Sequence, residues 1–174
     1  RAIRVGDPHA VETEMGPLAY EAHCERVLSF CASDAGAGVQ LIAGGRRLDR
    51  PGFFVEPTVL LAQSAAARCV REEIFGPVAS IMKYERFDEA IAIANDSRYG
   101  LAAYLWTNRL DECTQAAAGL RAGSIMVNSP MWSDLRMPFG GVQDSGVGRE
   151  GIESLRNFYS EEKTVAIATG KVPL

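Results

Sequence analysis

Apolar positions recur at helical spacing across residues 19–35, where Cys24, Val27, Leu28 and Cys31 form one stripe, and Gly36 and Gly38 follow as stop signals. Val39-Gln40-Leu41-Ile42-Ala43 then reads as a short strand closed by Gly44-Gly45. Phe53-Phe54-Val55 and Thr58-Val59-Leu60-Leu61 are β-rich runs separated by Pro57, whose missing N–H suits the edge of a sheet. Residues 65–73 are partly helical in pattern, and Gly76-Pro77 ends them. Ser80-Ile81-Met82-Lys83-Tyr84 predicts a strand, and Asp88 predicts the cap of a helix that runs to Asn95 with Ala90, Ile91 and Ala94 inward. A strand over 101–107, an Ala-rich helix over 109–120 and a strand over 123–128 follow. Strands and helices thus alternate between residues 80 and 128, the order of right-handed βαβ units in a parallel sheet. A loop of about twenty residues leaves the carboxyl end of the last of these strands, where functional groups gather in such sheets. A short helix over 151–159 and a final strand over 164–168 close the chain.

Composition narrows the function classes. The 174 residues include 18 Lys or Arg and 22 Asp or Glu, for a net charge of −4, which argues against nucleic acid or an anionic membrane as partner. At 47% hydrophobic and 23% charged residues the chain reads as globular. No apolar run reaches the roughly 18 residues of a membrane span. Arg1 stands where a Met would begin a chain, and Arg1-Ala2-Ile3-Arg4-Val5 reads as the tail of an upstream element, so a piece of a longer polypeptide is expected, the alternative being a complete domain with a processed end. The four cysteines lack metal-site spacing, and reduced thiols in a cytoplasmic compartment are expected.

Three segments can carry chemistry. In Arg71-Glu72-Glu73-Ile74-Phe75-Gly76-Pro77 the Gly-Pro bend fixes the side chains before it: a carboxylate there can accept hydrogen bonds from a ribose diol, and an aromatic two residues on can lie against a flat heterocycle. The alternative is a solvated acidic face. In Leu135-Arg136-Met137-Pro138-Phe139-Gly140-Gly141 and the following Ser145-Gly146-Val147-Gly148-Arg149-Glu150, the glycines permit close backbone approach, Phe139 can wall a pocket, and Arg136 offers a planar fork to a carboxylate. The alternative is a structural glycine-rich loop. Trp132 and Met131, with Ser133 and Asp134, are the third segment: an exposed Trp in a long loop reads as a substrate contact, and the alternative is a core or interface Trp. None of Cys24, Cys31, Cys69 and Cys113 has the small, glycine-rich setting or nearby His of a nucleophile.

These motifs resemble the NAD(P)-dependent aldehyde dehydrogenases. Glu72-Glu73-Ile74-Phe75-Gly76-Pro77-Val78 is similar to that family's cofactor motif, and Pro138-Phe139-Gly140-Gly141 with Ser145-Gly146-Val147-Gly148-Arg149-Glu150 to its carboxy-terminal signature. Gly6-Asp7-Pro8, Phe53-Phe54-Val55-Glu56-Pro57-Thr58, Tyr99-Gly100-Leu101-Ala102-Ala103 and Gly123-Ser124-Ile125-Met126-Val127-Asn128 extend the match along the chain. The resemblance implies an α/β fold: the carboxy-terminal portion of a Rossmann-like catalytic domain over residues 1–150, then a helix and an oligomerisation strand over 151–174. It implies oxidation of an aldehyde through a cysteine thioester, with NAD as hydride acceptor and NADP not excluded. The nucleophile, general base and oxyanion Asn fall upstream of the matched region. Glu73 matches the nicotinamide-ribose ligand, Phe75 the aromatic beside the cofactor, Leu101 a neighbour of the nicotinamide and Phe139 the substrate-pocket wall. Residues 164–168 match the strand that joins a partner subunit in a homo-oligomer.

The stretch from Trp132 to Gly141 is similar to the 2-hydroxymuconic and 2-aminomuconic semialdehyde dehydrogenase group, in which an Arg at the place of Arg136 grips the substrate carboxylate. Gln143-Asp144 departs from that group, where a Lys is common in this stretch. The competing expectation is a non-catalytic remnant that keeps the binding loop and assembly strand.

Overall fold

The computed structural model describes residues 3–33, 38–130 and 134–170. The chain forms two compact units, Arg1–Ile93 and Ala94–Leu174.

The first unit is built on helix α1 (Glu21–Ser33) and a three-stranded sheet of order β1-β2-β3, with β1 at Val39–Ala43, β2 at Thr58–Ala62 and β3 at Val78–Ile81. Strand β1 runs antiparallel to β2, and β2 runs parallel to β3 in a register that pairs Thr58 with Val78 and Leu61 with Ile81. The stripe read from the sequence is the buried face of α1: Cys24, Val27 and Cys31 are buried, as is Phe30 on the same helix. In β2 the buried positions are Thr58, Leu60 and Ala62, the two-residue period of a strand covered on one side. Ile74, from the turn before β3, and Cys69, from the short helix α2 (Arg68–Arg71), complete this core.

Thr58 is the one buried polar residue among those described, and its hydroxyl explains why. It accepts the Gly45 N–H at 2.8 Å and donates to the Glu56 carbonyl at 2.7 Å, while the Thr58 N–H donates to the Pro77 carbonyl at 2.8 Å. One residue thereby ties the loop after β1, the entry to β2 and the entry to β3. Gly44 turns at φ +72°, and a Cβ there would lie 2.3 Å from the Pro57 carbonyl oxygen.

The second unit holds helix α4 (Leu110–Gly119) between parallel strands β4 (Ala102–Leu105) and β5 (Ser124–Val127), a βαβ unit as expected. Helix α3 (Phe87–Asn95) runs across the division between the units. Helix α5 (Ile152–Tyr159) follows a single turn of 3-10 helix at Gln143–Ser145.

Several expectations are corrected. Strand β2 is the centre of its sheet, not an edge; Pro57 is tolerated because it precedes the first paired residue and owes no donor to the ladder. Phe53 and Phe54 join no strand, and Val55 makes only an isolated bridge to Arg47. Asp88 lies inside the first turn of α3, bound by Arg86 at 2.9 Å, and Ala94 is exposed. Strand β3 begins at Val78, immediately after Pro77, and pairs with β2, whereas β4 pairs with β5, so the alternating strands belong to two sheets. Apart from these corrections, residues 164–168, expected to pair only with a partner subunit, form no ladder among the described residues, and Val165 and Ile167 are exposed.

Replacing Thr58 by Val keeps the side-chain shape and strands the Gly45 N–H and the Glu56 carbonyl. Urea denaturation is expected to show a loss of about 1–3 kcal/mol; an unchanged midpoint would place the strength of this junction elsewhere.

Candidate functional site

The segment between α2 and β3 alternates sharply. Glu73 is exposed, Ile74 is buried, and Phe75 is 73% exposed. Ile74 anchors the turn in the core, so its two neighbours must face outward. Phe75 holds φ +58°, a left-handed conformation that a bulky residue adopts only under constraint. Gly76 follows because α1 passes too close for a side chain: a Cβ there would lie 2.6 Å from a Val27 methyl.

The constraint comes from α1. Arg26 donates from Nη2 to the Glu73 carbonyl at 2.8 Å and from Nη1 to the Ile74 carbonyl at 2.6 Å. His23 Nε2 lies 2.7 Å from the Phe75 carbonyl oxygen. That oxygen can only accept, so the His23 proton is on Nε2. Neither His23 nor Arg26 stood out in the sequence as belonging to this turn. They are three apart on one helix, flanking the apolar stripe, and that spacing was the available signal.

The two glutamates have different fates. Glu72 pairs with Arg68 at 3.3 Å, four residues back on the same helical path. The Glu73 carboxylate has no partner among the described residues. An exposed, unpaired carboxylate on a fixed backbone, with an exposed aromatic two residues away, fits a ligand that offers hydroxyl donors and a flat ring.

The second unit carries the other expected residues. Leu101 is 43% exposed at the entry to β4, and Phe139 is 40% exposed in the loop after β5. The segments bearing them are stitched by backbone contacts. The Gly100 carbonyl accepts the N–H groups of Gly123 and Val142, each at 3.0 Å, and the Gly100 N–H donates to the Ser145 hydroxyl at 2.9 Å. Phe139 and Glu150 exchange both backbone hydrogen bonds across an antiparallel bridge. Arg149 donates to the carbonyls of Gly141 and Gly148 at 2.8 and 2.7 Å. Glycine is required at Gly123, where a Cβ would fall 1.6 Å from the Gly140 carbonyl oxygen. The glycine-rich loop is therefore a close-packed support that presents Phe139.

Arg136 is exposed over 82% of its side chain. Its Nε donates to both oxygens of Asp134, at 2.9 and 3.1 Å, and its Nη2 donates to Asp134 Oδ2. The Arg136 guanidinium holds the Asp134 carboxyl below the usual carboxylate range. One edge of the Arg136 fork is occupied, and Nη1 has no partner among the described residues. Trp132 and Ser133, the other expected substrate contacts, lie outside the described residues. All four cysteines are free thiols: Cys24, Cys31 and Cys69 are buried, and Cys113 is half-buried. No His, Cys, Asp or Glu cluster suited to a metal ion occurs among the described residues, and no helix there is long and apolar enough to cross a membrane.

Residues 1–165 match the aldehyde dehydrogenase family. Over 98% of its length the chain is 42% identical to a 2-aminomuconic 6-semialdehyde dehydrogenase of Pseudomonas sp, covering 36% of that protein. Over 99% of its length it is 41% identical to a betaine aldehyde dehydrogenase of Brucella melitensis, again covering 36% of the relative. Among solved structures, the NAD+ complex of an aldehyde dehydrogenase from Bacillus cereus superposes with a TM-score of 0.86 at 38% identity, covering 91% of this chain and 32% of that one. The chain spans about a third of the length of these relatives. With that match running almost end to end, and with the fold and motif geometry in agreement, the chain belongs to the aldehyde dehydrogenase family.

Proposed function

We propose that this chain supplies the nicotinamide-ribose ligand and one wall of the substrate pocket in an enzyme that oxidises a carboxylate-bearing semialdehyde to the acid. The observation that carries this reading is the Glu73 carboxylate: exposed, unpaired among the described residues, and set on a turn whose carbonyls are held by Arg26 and His23. NAD+, bound in the Bacillus cereus relative, would accept hydride when held here; NADP+ offers the same ribose to Glu73. This chain's own contribution is binding and orientation. Glu73 accepts hydrogen bonds from the ribose hydroxyls, and Phe75 offers its exposed ring beside it; in the second unit Leu101 is read, by itself, as an apolar neighbour of the nicotinamide. Phe139 walls the pocket for the aldehyde, and Trp132 and Ser133, outside the described residues, are its further substrate contacts in this reading.

We read none of the four cysteines as the nucleophile. Three are packed in the core or on the buried face of α1, where a substrate carbon has no access to them. In this reading the thioester forms on a cysteine outside this chain, and the 174 residues alone produce no NADH from an aldehyde. Four free thiols suit a reducing cytoplasm.

Arg136 sets the substrate class. An Nη1 edge without a partner among the described residues, on an exposed guanidinium, suits the distal carboxylate of a semialdehyde. It opposes a quaternary ammonium such as betaine aldehyde carries, so the semialdehyde relative is the better guide than the betaine aldehyde one. Assembly falls to the carboxy-terminal residues. Phe158, Tyr159, Val165 and Ile167 are each at least 69% exposed, and a β-rich segment without a ladder of its own is suited to extend a partner's sheet in a homo-oligomer.

In the protein that carries this chain, Glu73→Gln is expected to weaken NADH binding about tenfold, because a neutral amide replaces a charge-assisted acceptor. Fluorescence titration measures this, and unchanged affinity would remove Glu73 from the ribose. Arg136→Ala is expected to raise KM for a carboxylate-bearing semialdehyde about tenfold and to leave a neutral aldehyde of similar length within about twofold. Equal effects on both substrates would dismiss Arg136 as the anchor. Replacing Val165 and Ile167 together by Asp is expected to lower the oligomer size in sedimentation analysis; an unchanged mass would exclude the tail from the interface.

A further inference from the structure

We propose that Arg26 is a positioning residue for cofactor binding, one that sets the orientation of Glu73 and Phe75 through the backbone rather than by touching the cofactor. This rests on the reading of Glu73 as the ribose ligand. The guanidinium is a rigid planar fork, and here its two terminal nitrogens serve two successive carbonyls, Glu73 at 2.8 Å and Ile74 at 2.6 Å. Two donors fixed in one plane determine the relative orientation of two peptide planes, which a single mobile ammonium cannot do. The third carbonyl, that of Phe75, is taken by His23 at 2.7 Å. Three consecutive peptide planes are thus oriented by side chains of one helix.

The need for such a device follows from Phe75. At φ +58° its backbone occupies a region that costs a bulky residue free energy, and rotation of a flanking peptide would relieve it. That rotation would also turn the Phe75 ring and shift the Glu73 side chain. Rotating the Ile74 peptide would carry its carbonyl away from Arg26, and rotating the Phe75 peptide would carry its carbonyl away from His23, so the hydrogen bonds oppose both.

Arg26 is itself well anchored. Its guanidinium lies 5.1 Å from the ring centroid of Phe30, which is fully buried. With its two ends committed to carbonyls, it is directed at the backbone of Glu73, and the carboxylate of that residue remains available to a ligand.

The test uses Arg26→Met, which keeps much of the stem and removes the donors, and Arg26→Lys, which keeps the charge and can serve one carbonyl at a time. Both are made in the protein that carries this chain. NADH affinity is read by fluorescence titration, and amide hydrogen exchange is followed over residues 73–77 and over β2. The Met variant is expected to bind NADH about tenfold more weakly and to exchange faster over 73–77, with β2 as protected as in the parent. The Lys variant is expected to fall between the two in affinity. Parental affinity and parental exchange in the Met variant would overturn the proposal. If the Met variant also loses protection in β2, the Lys variant decides: weakened NADH binding with β2 intact supports the positioning role, and parental affinity overturns it. Glu73→Gln separates the two readings. Weaker binding in Glu73→Gln beside parental binding in Arg26→Met rejects the role of Arg26 alone. Parental binding in Glu73→Gln rejects the ribose reading, and the positioning role falls with it.

Discussion

Between α2 and β3 the backbone leaves one hydrogen-bonded element and has not yet entered the next, so its carbonyls must find donors elsewhere. They find them on α1, roughly fifty residues earlier in the chain. Arg26 and His23 satisfy the carbonyls of Glu73, Ile74 and Phe75, while Ile74 sinks into the core that α1 and β2 share. The turn is therefore not a local structure. Its shape depends on α1 being docked, and α1 is docked by its stripe of Cys24, Val27, Phe30 and Cys31. Burial of that stripe, the left-handed Phe75 and the outward Glu73 are successive consequences of one packing arrangement.

The second unit solves a similar problem with glycine in place of long side chains. Gly100, Gly123, Gly140 and Gly141 bring three stretches of backbone so near one another that a single Cβ at Gly123 would overlap the Gly140 carbonyl. The reward of such contact is direct backbone pairing, as in the Gly100 carbonyl that accepts two N–H groups. Loops built this way hold Leu101 and Phe139 without a large core beneath them. Ala116 is the buried hydrophobic residue of this unit among those described. Precision comes here from close approach, and in the first unit from a clamp on a well-packed helix.

What could be read from the sequence follows from how local each determinant is. Helices α1 and α4 and strands β1 and β5 fell within two residues of expectation, because period and glycine stops are written in the element itself. The Phe53-Phe54-Val55 run misled because aromatic composition suits strands and cation faces equally. Arg47 and Arg50 lie over the rings of Phe53 and Phe54, at 5.5 and 4.4 Å from their centroids. Periodicity alone could not choose between Glu72 and Glu73, although the four-residue spacing of Arg68 and Glu72 already hinted that one carboxylate was spoken for. The contact of Arg26 with the turn was not legible, since it requires both the rotational phase of α1 and a pairing across 48 residues. The placement of Arg136 in its loop was legible, but its engagement by Asp134, two residues away, was not, because an Asp-Leu-Arg stretch has many conformations open to it.

The departure at Gln143-Asp144 bears on how selective the proposed substrate loop can be. Asp144 lies 3.5 Å from Arg98, and its N–H donates to the Arg98 carbonyl at 3.0 Å, while Gln143 reaches the Tyr99 carbonyl at 3.3 Å from a left-handed backbone at φ +56°. A Lys in place of Asp144 would stand beside Arg98 and repel it; an Asp neutralises it. The pair is exposed and adds little to stability. Its electrostatic consequence is larger. A cation cluster near the loop would attract any anionic substrate without regard to shape, since unpaired charge acts over about a Debye length. With Arg98 paired to Asp144 and one edge of Arg136 committed to Asp134, the proposed anchor for a carboxylate narrows to Nη1, which has no partner among the described residues. In the proposed reading, recognition would then depend on where the carboxylate lies relative to the aldehyde, a matter of chain length and angle as well as charge.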